Sequence, residues 1–292
     1  MGAAGPPRLL ALGHVTRDHR PGGFVLGGSV TYAALAACRL GWRAAILTSA
    51  GPDFAPEAEL PGIEVFVQPA TATTRFVNEY DAAGARRQVV TARADDVDLP
   101  PLPDAWRDPD VLLLGPVAGE LFSVSATQLS AGCVGAIAQG YVRAIGPDGT
   151  VSAREWDRPS RDLTGVHVLF LSEQDLPDAE AQARHLLEAV PMVALTRGWR
   201  GLTLLTRDAV HEVPSLPRPE LDPTGAGDVF ATAFLLRYHE TADPLDAAAF
   251  GACAASCVVE GIGASTLGDR EEVLRRMAQR ERMIEDGEWE EG

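Results

Sequence analysis

Residues 222–230 read Asp-Pro-Thr-Gly-Ala-Gly-Asp-Val-Phe, and this stretch carries most of the information about the fold of the chain. A proline of fixed φ, a hydroxyl, two glycines and a carboxylate stand directly ahead of the apolar run 229–236. The pattern predicts a buried helix that begins near Gly225, with unpaired main-chain N–H groups and the positive end of the helix dipole at its first turn. Bare glycines allow a phosphate to approach those donors closely.

A carboxylate beside such a turn has two interpretations. Asp228 follows the glycines, where it is placed to accept a proton from an attacking hydroxyl, and this predicts phosphoryl transfer from ATP to a small alcohol. Alternatively, Thr224 is an ordinary helix cap and Asp228 a first-turn acid that gains about 0.3–1 kcal/mol from the dipole. The rest of the chain decides between the two.

Composition narrows the function classes. The chain has 292 residues, 46% of them hydrophobic, which is enough for the core of one large α/β domain. Its formal net charge of −16 disfavours a nucleic-acid partner. The sequence contains no lysine, which excludes a Walker A loop. Any phosphate clamp must therefore use main-chain amides, arginines and a metal ion.

The cysteines and the apolar runs indicate the compartment. Cys38, Cys133, Cys253 and Cys257 lie in apolar surroundings without a CxxC pair, so we expect four buried free thiols in a reducing cytoplasm. There is no signal-peptide pattern and no run of about 18 apolar residues, so we expect a soluble cytoplasmic protein with no membrane partner. The acidic stretch 285–291 is expected to be a solvated tail.

Apolar runs alternate with helical patterns along most of the chain, which predicts a parallel sheet covered by helices on both faces. The expected strands are residues 8–12, 43–49, 111–114, 134–138, 166–171 and 191–196. The expected helices are residues 29–40, 179–189, 226–238, 244–260 and 270–283.

Residues 73–90 break this alternation. Two segments of alternating polarity, 73–80 and 85–90, flank a turn at 81–84 and predict an antiparallel hairpin. We favour a small lid over the carboxyl edge of the sheet, and the alternative is an extra hairpin at the edge of the main sheet. A free lid edge is able to pair with a second lid, so a homodimer is one possible assembly.

Three segments in the same order resemble the ribokinase/PfkB carbohydrate kinases. Residues 222–234, DPTGAGDVFATAF, are similar to the C-terminal signature of that family. Residues 27–42, GGSVTYAALAACRLGW, resemble its N-terminal signature, and Thr196-Arg-Gly198-x-x-Gly201 resembles the strand and turn before its nucleotide site. The resemblance implies a single domain over 1–292, built as a ribokinase-like three-layer α/β/α sandwich with a mostly parallel sheet. It also implies a small β lid formed by residues of about 14–26 and 73–92.

The resemblance also implies catalytic roles. Asp228 matches the catalytic base of the family, and Gly225, Ala226 and Gly227 match the anion hole that holds the transferring phosphoryl oxygens. For ATP binding it implies the following residues: Arg143, Thr196, Gly198, Gly201, Gly225, Gly227 and Gly263.

On the acceptor side, Asp18 matches the aspartate that accepts hydrogen bonds from substrate hydroxyls, and a carboxylate can take both hydroxyls of a vicinal diol. Gly27 and Gly28 would let the substrate approach the main chain, although close packing of helix on strand also explains them. Many ribokinase-like members carry asparagine where this chain has Tyr32, which implies a reshaped acceptor pocket. Arg75, in the lid, is a candidate for closing over the substrate.

Further acceptor residues come from a narrower resemblance. The segments 115–120 and 138–151 are similar to plant-type inositol kinases and place Glu120, Gln139 and Arg143 after strand ends, where ligands of α/β proteins bind. Arg143 has a delocalised charge suited to ATP phosphates. A plain surface arginine is the alternative for this position.

The family's Mg²⁺-associated motif is altered here to Ser172-Glu-Gln-Asp175. Asp175 keeps a hard oxygen that suits Mg²⁺ through water, and the alternative is a solvated cluster at a helix start. Asp222 and Thr224 match positions that hold a monovalent cation in some members, with the loop 261–265 opposite, so K⁺ is a second candidate cofactor. A glycine C-cap is the other interpretation of that loop.

Three functions therefore compete. The leading one is ATP-dependent phosphorylation of a sugar or a cyclitol such as myo-inositol. A nucleoside kinase of the same fold is the nearest rival, because Tyr32, Phe24 or Phe76 offers an aromatic contact for a base. A non-catalytic ligand-binding protein on the kinase scaffold is the third, supported by the altered residues 172–175.

Overall fold

The computed structural model describes residues 5–20, 22–80, 86–99 and 102–286. The helices in these ranges are α1 (Ser29–Arg39), α2 (Pro56–Glu59), α3 (Pro159–Asp162), α4 (Ala179–Leu186), α5 (Ala226–Thr241), α6 (Pro244–Val258) and α7 (Arg270–Glu285). The first eight strands are β1 (Arg8–Leu12), β2 (Thr16–Arg20), β3 (Gly23–Gly27), β4 (Arg43–Ala50), β5 (Glu64–Pro69), β6 (Thr74–Tyr80), β7 (Arg86–Ala92) and β8 (Val111–Leu114). The remaining strands are β9 (Cys133–Ile137), β10 (Arg143–Ile145), β11 (Val151–Ala153), β12 (Val168–Ser172), β13 (Met192–Thr196), β14 (Leu202–Thr206) and β15 (Val210–Val213).

The main sheet has nine strands in the order β15-β14-β13-β12-β9-β8-β1-β4-β5. The seven strands from β13 to β5 pair in parallel. The apolar sequences of the six from β13 to β4 are buried on both faces, as a helix-covered sheet requires, whereas β5 at the edge is partly exposed. The strands β14 and β15 add antiparallel pairs at one edge. The sequence patterns had not predicted these two strands.

The core lies in two layers, one on each side of the main sheet. Successive residues of β1 alternate between them, with Leu9 in the core under α1, α5 and α6, and Leu10 in the core under α4. The short side chains of α1 and α6 allow these helices to pack closely on the sheet and on α5. The predicted three-layer α/β/α sandwich is therefore confirmed.

The predicted hairpin belongs to a separate small sheet, which we call the lid. Its four strands follow the order β3-β2-β6-β7, so the hairpin β6–β7 pairs with β2 rather than with the edge of the main sheet. The turn predicted at 81–84 lies outside the described residues. A second hairpin, β10–β11, is joined to the lid edge at β7, where the Val90 N–H donates to the Gly149 carbonyl at 2.8 Å.

Two expectations about the surface need correction. All four cysteines are free thiols, but Cys38 is exposed, because it lies near the end of α1 and not on the face of that helix that packs on the sheet. Glu285 ends α7, so it is helical, and residues 287–291 of the predicted tail lie outside the described ranges. Within those ranges, no helix combines the length and the apolar character needed to cross a bilayer.

Candidate active site

A cleft of about 670 Å³ opens where the carboxyl ends of β9, β12 and β13 meet the start of α5. Its walls come from the main sheet, the lid, the β10–β11 hairpin, the loop before α5 and the carboxyl end of α6. Ligands of parallel α/β sheets bind beyond the carboxyl ends of the strands, as here. The predicted site residues that line this cleft are Asp18, Gly28, Tyr32, Gln139, Arg143, Asp175, Thr196, Gly198, Gly201, Thr224, Gly225, Ala226, Gly227 and Asp228.

The turn before α5 has the geometry of an anion site. Gly225 precedes the helix with φ of 83°, and a Cβ there would lie 2.3 Å from the Tyr32 ring, so only glycine fits. Gly227 faces open space, with no atom within 4 Å of a Cβ built on it. The Ala226 amide donates to the Pro223 carbonyl at 3.1 Å, so it serves the turn. The anion hole stays a prediction, and the amides of Gly225 and Gly227 are its candidate donors.

Asp228 lies at the start of α5, partly buried in the cleft. Burial raises the pKa of its carboxyl group to about 6, against the opposing effects of a hydrogen bond from the Ser29 side chain and of the Arg143 charge. The nearby carboxylates of Asp175 and Asp18 raise this pKa further. A pKa just below neutrality suits a general base, because the group is deprotonated at pH 7 and still accepts a proton.

Ser29 is a site residue that the sequence reasoning missed. It is the first residue of α1, is almost fully buried and hydrogen-bonds the Asp228 carboxylate. The sequence feature that could have indicated Ser29 is its position directly after Gly27-Gly28, at the start of a helix beside the cleft. Gly28 has φ of 91° and a Cβ on it would lie 2.3 Å from the His14 carbonyl oxygen, which accounts for the second glycine.

Asp18 lies on β2 of the lid and faces the cleft. One carboxylate oxygen accepts a hydrogen bond from the Thr16 hydroxyl at 2.8 Å. A Cβ at Gly27 would lie 2.3 Å from the other oxygen. Gly27 therefore makes room for Asp18, which differs from its expected role of admitting the substrate to the main chain.

Tyr32 lines the cleft beside the turn before α5. Its side chain is 5% exposed and packs against Gly225, and a Cβ at Gly263 would lie 3.7 Å from its hydroxyl oxygen. The aromatic ring thus packs against the turn before α5. The packing of α1 beside the start of α5 brings the ring there, and the role of Tyr32 in shaping the acceptor pocket stays a prediction.

Glu120 and Arg75 do not line the cleft. The buried Glu120 carboxylate accepts hydrogen bonds from the main-chain amides of His14 at 2.8 Å, Val117 at 3.0 Å and Ala118 at 2.7 Å, which accounts for its burial. Arg75 forms an ion pair with Asp53 at 2.9 Å on the opposite face of β6. Both substrate-binding predictions are therefore wrong in position.

Phe76, the residue after Arg75, lies in the cleft where Arg75 had been expected. Side chains alternate across a strand, so Phe76 faces the cleft while Arg75 faces away. The guanidinium of Arg143 lies 5.9 Å from the centre of the Phe76 ring and donates to the Val117 carbonyl at 3.3 Å. Arg143 also acts electrostatically on Asp228 and Asp175, so it is a cation of the cleft, and its contact with ATP stays a prediction. Gln88 and Ser152 are lining residues that the sequence reasoning missed.

Asp175 lies at the end of β12, where burial raises the pKa of its carboxyl group. One oxygen accepts a hydrogen bond from the Ser172 amide at 2.8 Å, which leaves the other for a hydrated Mg²⁺. The described residues contain no group of three or more potential metal-ligating side chains.

Asp222 links two loops. One carboxylate oxygen accepts from the Thr224 amide at 3.0 Å and the Thr224 hydroxyl at 2.5 Å, and the other from the Gly263 amide at 3.3 Å. Gly263 does not line the cleft, contrary to its predicted contact with ATP. These hydrogen bonds give Asp222 a structural role, so a monovalent cation would depend on main-chain carbonyls instead.

Residues 196–201 form a turn after β13 in which two glycines are required. Gly198 has φ of 59° and Gly201 has φ of 92°, and a Cβ at Gly201 would lie 2.2 Å from the Val213 carbonyl oxygen. Thr196 ends the strand, and its hydroxyl donates to the Leu171 carbonyl at 3.4 Å. The turn carries Trp199 at the cleft, a residue that the sequence reasoning had not singled out.

Comparison with known proteins finds a family match for part of the sequence and solved structures with the same fold. A model of the pfkB family carbohydrate kinases matches residues 157–270. A nucleoside kinase of Methanocaldococcus jannaschii is 37% identical over 81 residues, which cover 27% of this chain and 27% of that protein. The match to a second nucleoside kinase covers 28% of that protein. A cytidine kinase of Thermococcus kodakarensis is 26% identical, over 79% of this chain and 88% of that protein.

Solved structures with the same fold cover most of the chain. A pyrophosphate-dependent kinase in the ribokinase family, solved with a pyrophosphate analogue and myo-inositol, superposes with a TM-score of 0.74 at 19% identity, over 91% of this chain and 99% of that chain. The ribokinase of Arabidopsis thaliana, solved with ribose and ATP, superposes with a TM-score of 0.70 at 19% identity, over 94% and 99%. These findings confirm the ribokinase/PfkB resemblance predicted from the sequence.

Proposed function

We propose that this chain, which has the ribokinase fold and a partial match to the pfkB carbohydrate kinases, transfers the γ-phosphoryl group of ATP to a hydroxyl of a small polyol. The observation that carries this proposal is the convergence of three features in one cleft. Gly225 and Gly227 open a helix start to phosphate, Asp228 stands beside it as a base, and Asp18 faces them from the lid.

The proposed reaction needs few groups. The acceptor hydroxyl oxygen attacks the γ-phosphorus, its proton passes to an Asp228 carboxylate oxygen, and the bond from the γ-phosphorus to the bridging oxygen breaks to release ADP. The amides of Gly225 and Gly227 hold the transferring oxygens, and Arg143 balances their charge. When bound, Mg²⁺ would neutralise the nucleotide phosphates, with Asp175 holding its water shell.

The acceptor class follows from the polar lining beside the lid. Asp18, Gln88, Gln139 and Ser152 line the cleft and offer carboxylate, amide and hydroxyl groups. Such groups match the many hydroxyls of a sugar or cyclitol. The superposed myo-inositol-bound kinase agrees with this proposal without deciding it.

A nucleoside kinase is the second candidate. Phe76 lines the cleft and offers one aromatic face to a base, and the partial matches to nucleoside and cytidine kinases favour this reading. Tyr32 is less suited to that role, since its ring packs against Gly225. Phe24 is exposed and does not line the cleft.

ADP release tests the proposal, with myo-inositol, ribose, fructose, adenosine and cytidine as separate acceptors. Release with inositol or a sugar supports the polyol kinase, and release with adenosine or cytidine supports the nucleoside kinase. If no acceptor causes ADP release, the third candidate, a ligand-binding protein without turnover, is supported. The Asp228→Asn variant controls for contaminating kinases in each assay.

Two further parts of the proposal concern the cation and the assembly. Activation by K⁺ predicts a higher rate in potassium than in tetramethylammonium buffer, and equal rates exclude it. A homodimer through the lid edge is suggested by β3, where Phe24 and Val25 are about half exposed. Sedimentation analysis distinguishes the dimer from the monomer.

A further inference from the structure

Within the described ranges, four chain segments connect the lid to the main sheet, and we call the place where they meet the lid base. The chain enters the lid at β2 and leaves it after β3, then enters again at β6 and leaves after β7. The orientation of the lid on the main sheet therefore depends on how these segments contact one another. In chain order they are residues 13–16, 27–28, 73–74 and 93–95.

The side chain of His14 lies at the centre of the lid base and is fully buried. Its Nδ1 atom lies 2.8 Å from the Thr74 hydroxyl oxygen, and its Nε2 atom lies 2.8 Å from the Asp95 carbonyl oxygen. The Thr74 hydroxyl oxygen also accepts a hydrogen bond from the Ala94 amide at 2.9 Å. Because Ala94 and Asp95 are neighbours in the chain, these hydrogen bonds close a ring, which we call the lid-base network.

The partners of the imidazole determine its tautomer. A main-chain carbonyl oxygen only accepts hydrogen bonds, so Nε2 carries a proton and donates to Asp95. A second proton on Nδ1 would make the Thr74 oxygen an acceptor twice over and leave the Thr74 hydroxyl proton without an acceptor in the network. The hydrogen bonds therefore run in one direction, from Ala94 through Thr74 and His14 to Asp95.

The main chain of His14 fastens the lid base to the main sheet. Its amide donates to the buried Glu120 carboxylate at 2.8 Å, and the next amide, of Val15, donates to the Thr48 hydroxyl of β4 at 2.9 Å. A Cβ on Gly28 would lie 2.3 Å from the His14 carbonyl oxygen. His14 therefore lies against all the other segments of the lid base and against the main sheet.

The lid base also sets the position of Asp18. Strand β2 pairs with β6 from Thr16 and Thr74 onward, and two residues further along Asp18 pairs with Phe76. The Thr16 hydroxyl donates to the Asp18 carboxylate at 2.8 Å. Asp18 and Phe76 both line the cleft. A rotation of these strands at the lid base would therefore move the Asp18 carboxylate relative to the turn before α5.

We propose that His14 and Thr74 are positioning residues, whose hydrogen bond holds the lid in one orientation on the main sheet and so directs Asp18 toward the acceptor. Neither residue lines the cleft, so both act through the lid. A buried network in which every donor has its acceptor resists rearrangement, because each broken hydrogen bond leaves a polar group without a partner. The inference rests on the proposed phosphoryl transfer and adds how the acceptor side of the cleft is held.

The experiment compares wild type with Thr74→Val, Thr74→Ser and Thr203→Val. Valine keeps the shape of threonine without its hydroxyl, and serine keeps the hydroxyl without the methyl group. Thr203→Val is the matched control, because Thr203 is a buried residue of β14 that does not line the cleft and whose hydroxyl donates to Glu212 at 2.9 Å. The measurements are kcat and KM for ATP and for the acceptor that releases most ADP among myo-inositol, ribose, fructose, adenosine and cytidine.

Thr74→Val should raise the KM for the acceptor by about five-fold or more and leave the KM for ATP near the wild-type value. Thr74→Ser should restore the wild-type KM for the acceptor, because it keeps the hydroxyl. Thr203→Val also loses a buried hydrogen bond but should match wild type in both constants. The inference is overturned if Thr74→Val keeps the wild-type KM for the acceptor, or if Thr203→Val raises that KM equally.

Two measurements on the lid base do not depend on turnover. Nitrogen NMR of wild type should show the His14 proton on Nε2 and an Nδ1 signal that moves in Thr74→Val. Hydrogen exchange of the β2 amides should be faster in Thr74→Val than in wild type or Thr203→Val. A proton on Nδ1 in wild type, or unchanged exchange of β2 in Thr74→Val, would overturn the inference. Wild type that phosphorylates no acceptor would contradict the proposed kinase function, and the NMR and exchange results would still decide whether His14 and Thr74 hold the lid.

Discussion

The Ser29 side chain, at the first residue of α1, hydrogen-bonds the carboxylate of Asp228 at the start of α5. The first turns of two helices thus meet at the proposed catalytic base. Gly115 leaves room for this contact, because a Cβ on it would lie 3.1 Å from the Ser29 Cβ. The base is therefore oriented by a residue nearly 200 positions away in the chain.

The pH dependence of turnover is expected to report Asp228. Its pKa is raised to about 6, chiefly by burial, and only the carboxylate accepts the proton of the acceptor hydroxyl. The kcat/KM of the enzyme should therefore rise through about pH 6 and level off above it. A profile that is flat between pH 5 and pH 8 would contradict Asp228 as the base.

Ser29→Ala should move that profile to higher pH. The hydrogen bond from Ser29 lowers the pKa of Asp228, so its loss raises the pKa and shifts the acid limb of kcat/KM upward. Thr232→Ala is the matched control, since the Thr232 hydroxyl donates to the Asp228 main-chain carbonyl at 2.8 Å and not to its carboxylate. If the acid limb of kcat/KM lies at the same pH in Ser29→Ala and Thr232→Ala, a positioning role for Ser29 is excluded.

Asp228→Asn should fold normally and lose most turnover. An amide of the same shape cannot accept the proton, and general-base catalysis contributes about 10²–10⁴-fold to a rate. The measurement is kcat beside the melting temperature, which should not fall, because the variant removes a buried charge. Near wild-type turnover would remove the mechanism.

Gly225→Ala should lower the stability of the fold, whereas Gly227→Ala should weaken ATP binding without a loss of stability. A methyl group at Gly225 clashes with Tyr32 and the φ of 83° is unfavourable, so the variant should lose about 1–3 kcal/mol of stability. A methyl group at Gly227 meets open space, so stability should hold while ATP binding weakens. Denaturant titrations and ATP affinities check the pair. Equal losses of stability would contradict the assignment.

Glu120→Ala should lower the stability of the fold much more than Arg75→Ala, although both residues were predicted to bind substrate. Removal of the Glu120 carboxylate leaves several buried amides without an acceptor, each costing about 1–3 kcal/mol. Arg75 belongs to a partly exposed ion pair with Asp53, worth at most about 1 kcal/mol. The free energy of unfolding should fall sharply in the first variant only. Similar KM values for the acceptor in Arg75→Ala and wild type would place Arg75 outside the site.

Much of the cleft could be predicted because local patterns carry it. Gly28 and Gly225 adopt positive φ values that only glycine takes at low cost, and such positions are visible in a sequence. Glu120 and Arg75 were misplaced for a different reason. A carboxylate after a strand end can face a ligand or its own main chain, and a one-residue step along β6 decides whether Arg75 or Phe76 meets the cleft.

The sequence alone determined the parallel sheet, the helix that begins after Gly225 and the acid that follows it, because apolar periodicity and glycine conformation are properties of short segments. Only the tertiary structure decided that Ser29 meets Asp228, that the Tyr32 ring packs against Gly225 and that the Ser215 hydroxyl donates to the Trp199 carbonyl. These contacts depend on how distant segments pack in three dimensions, and spacing along a single chain does not encode that packing in a readable form.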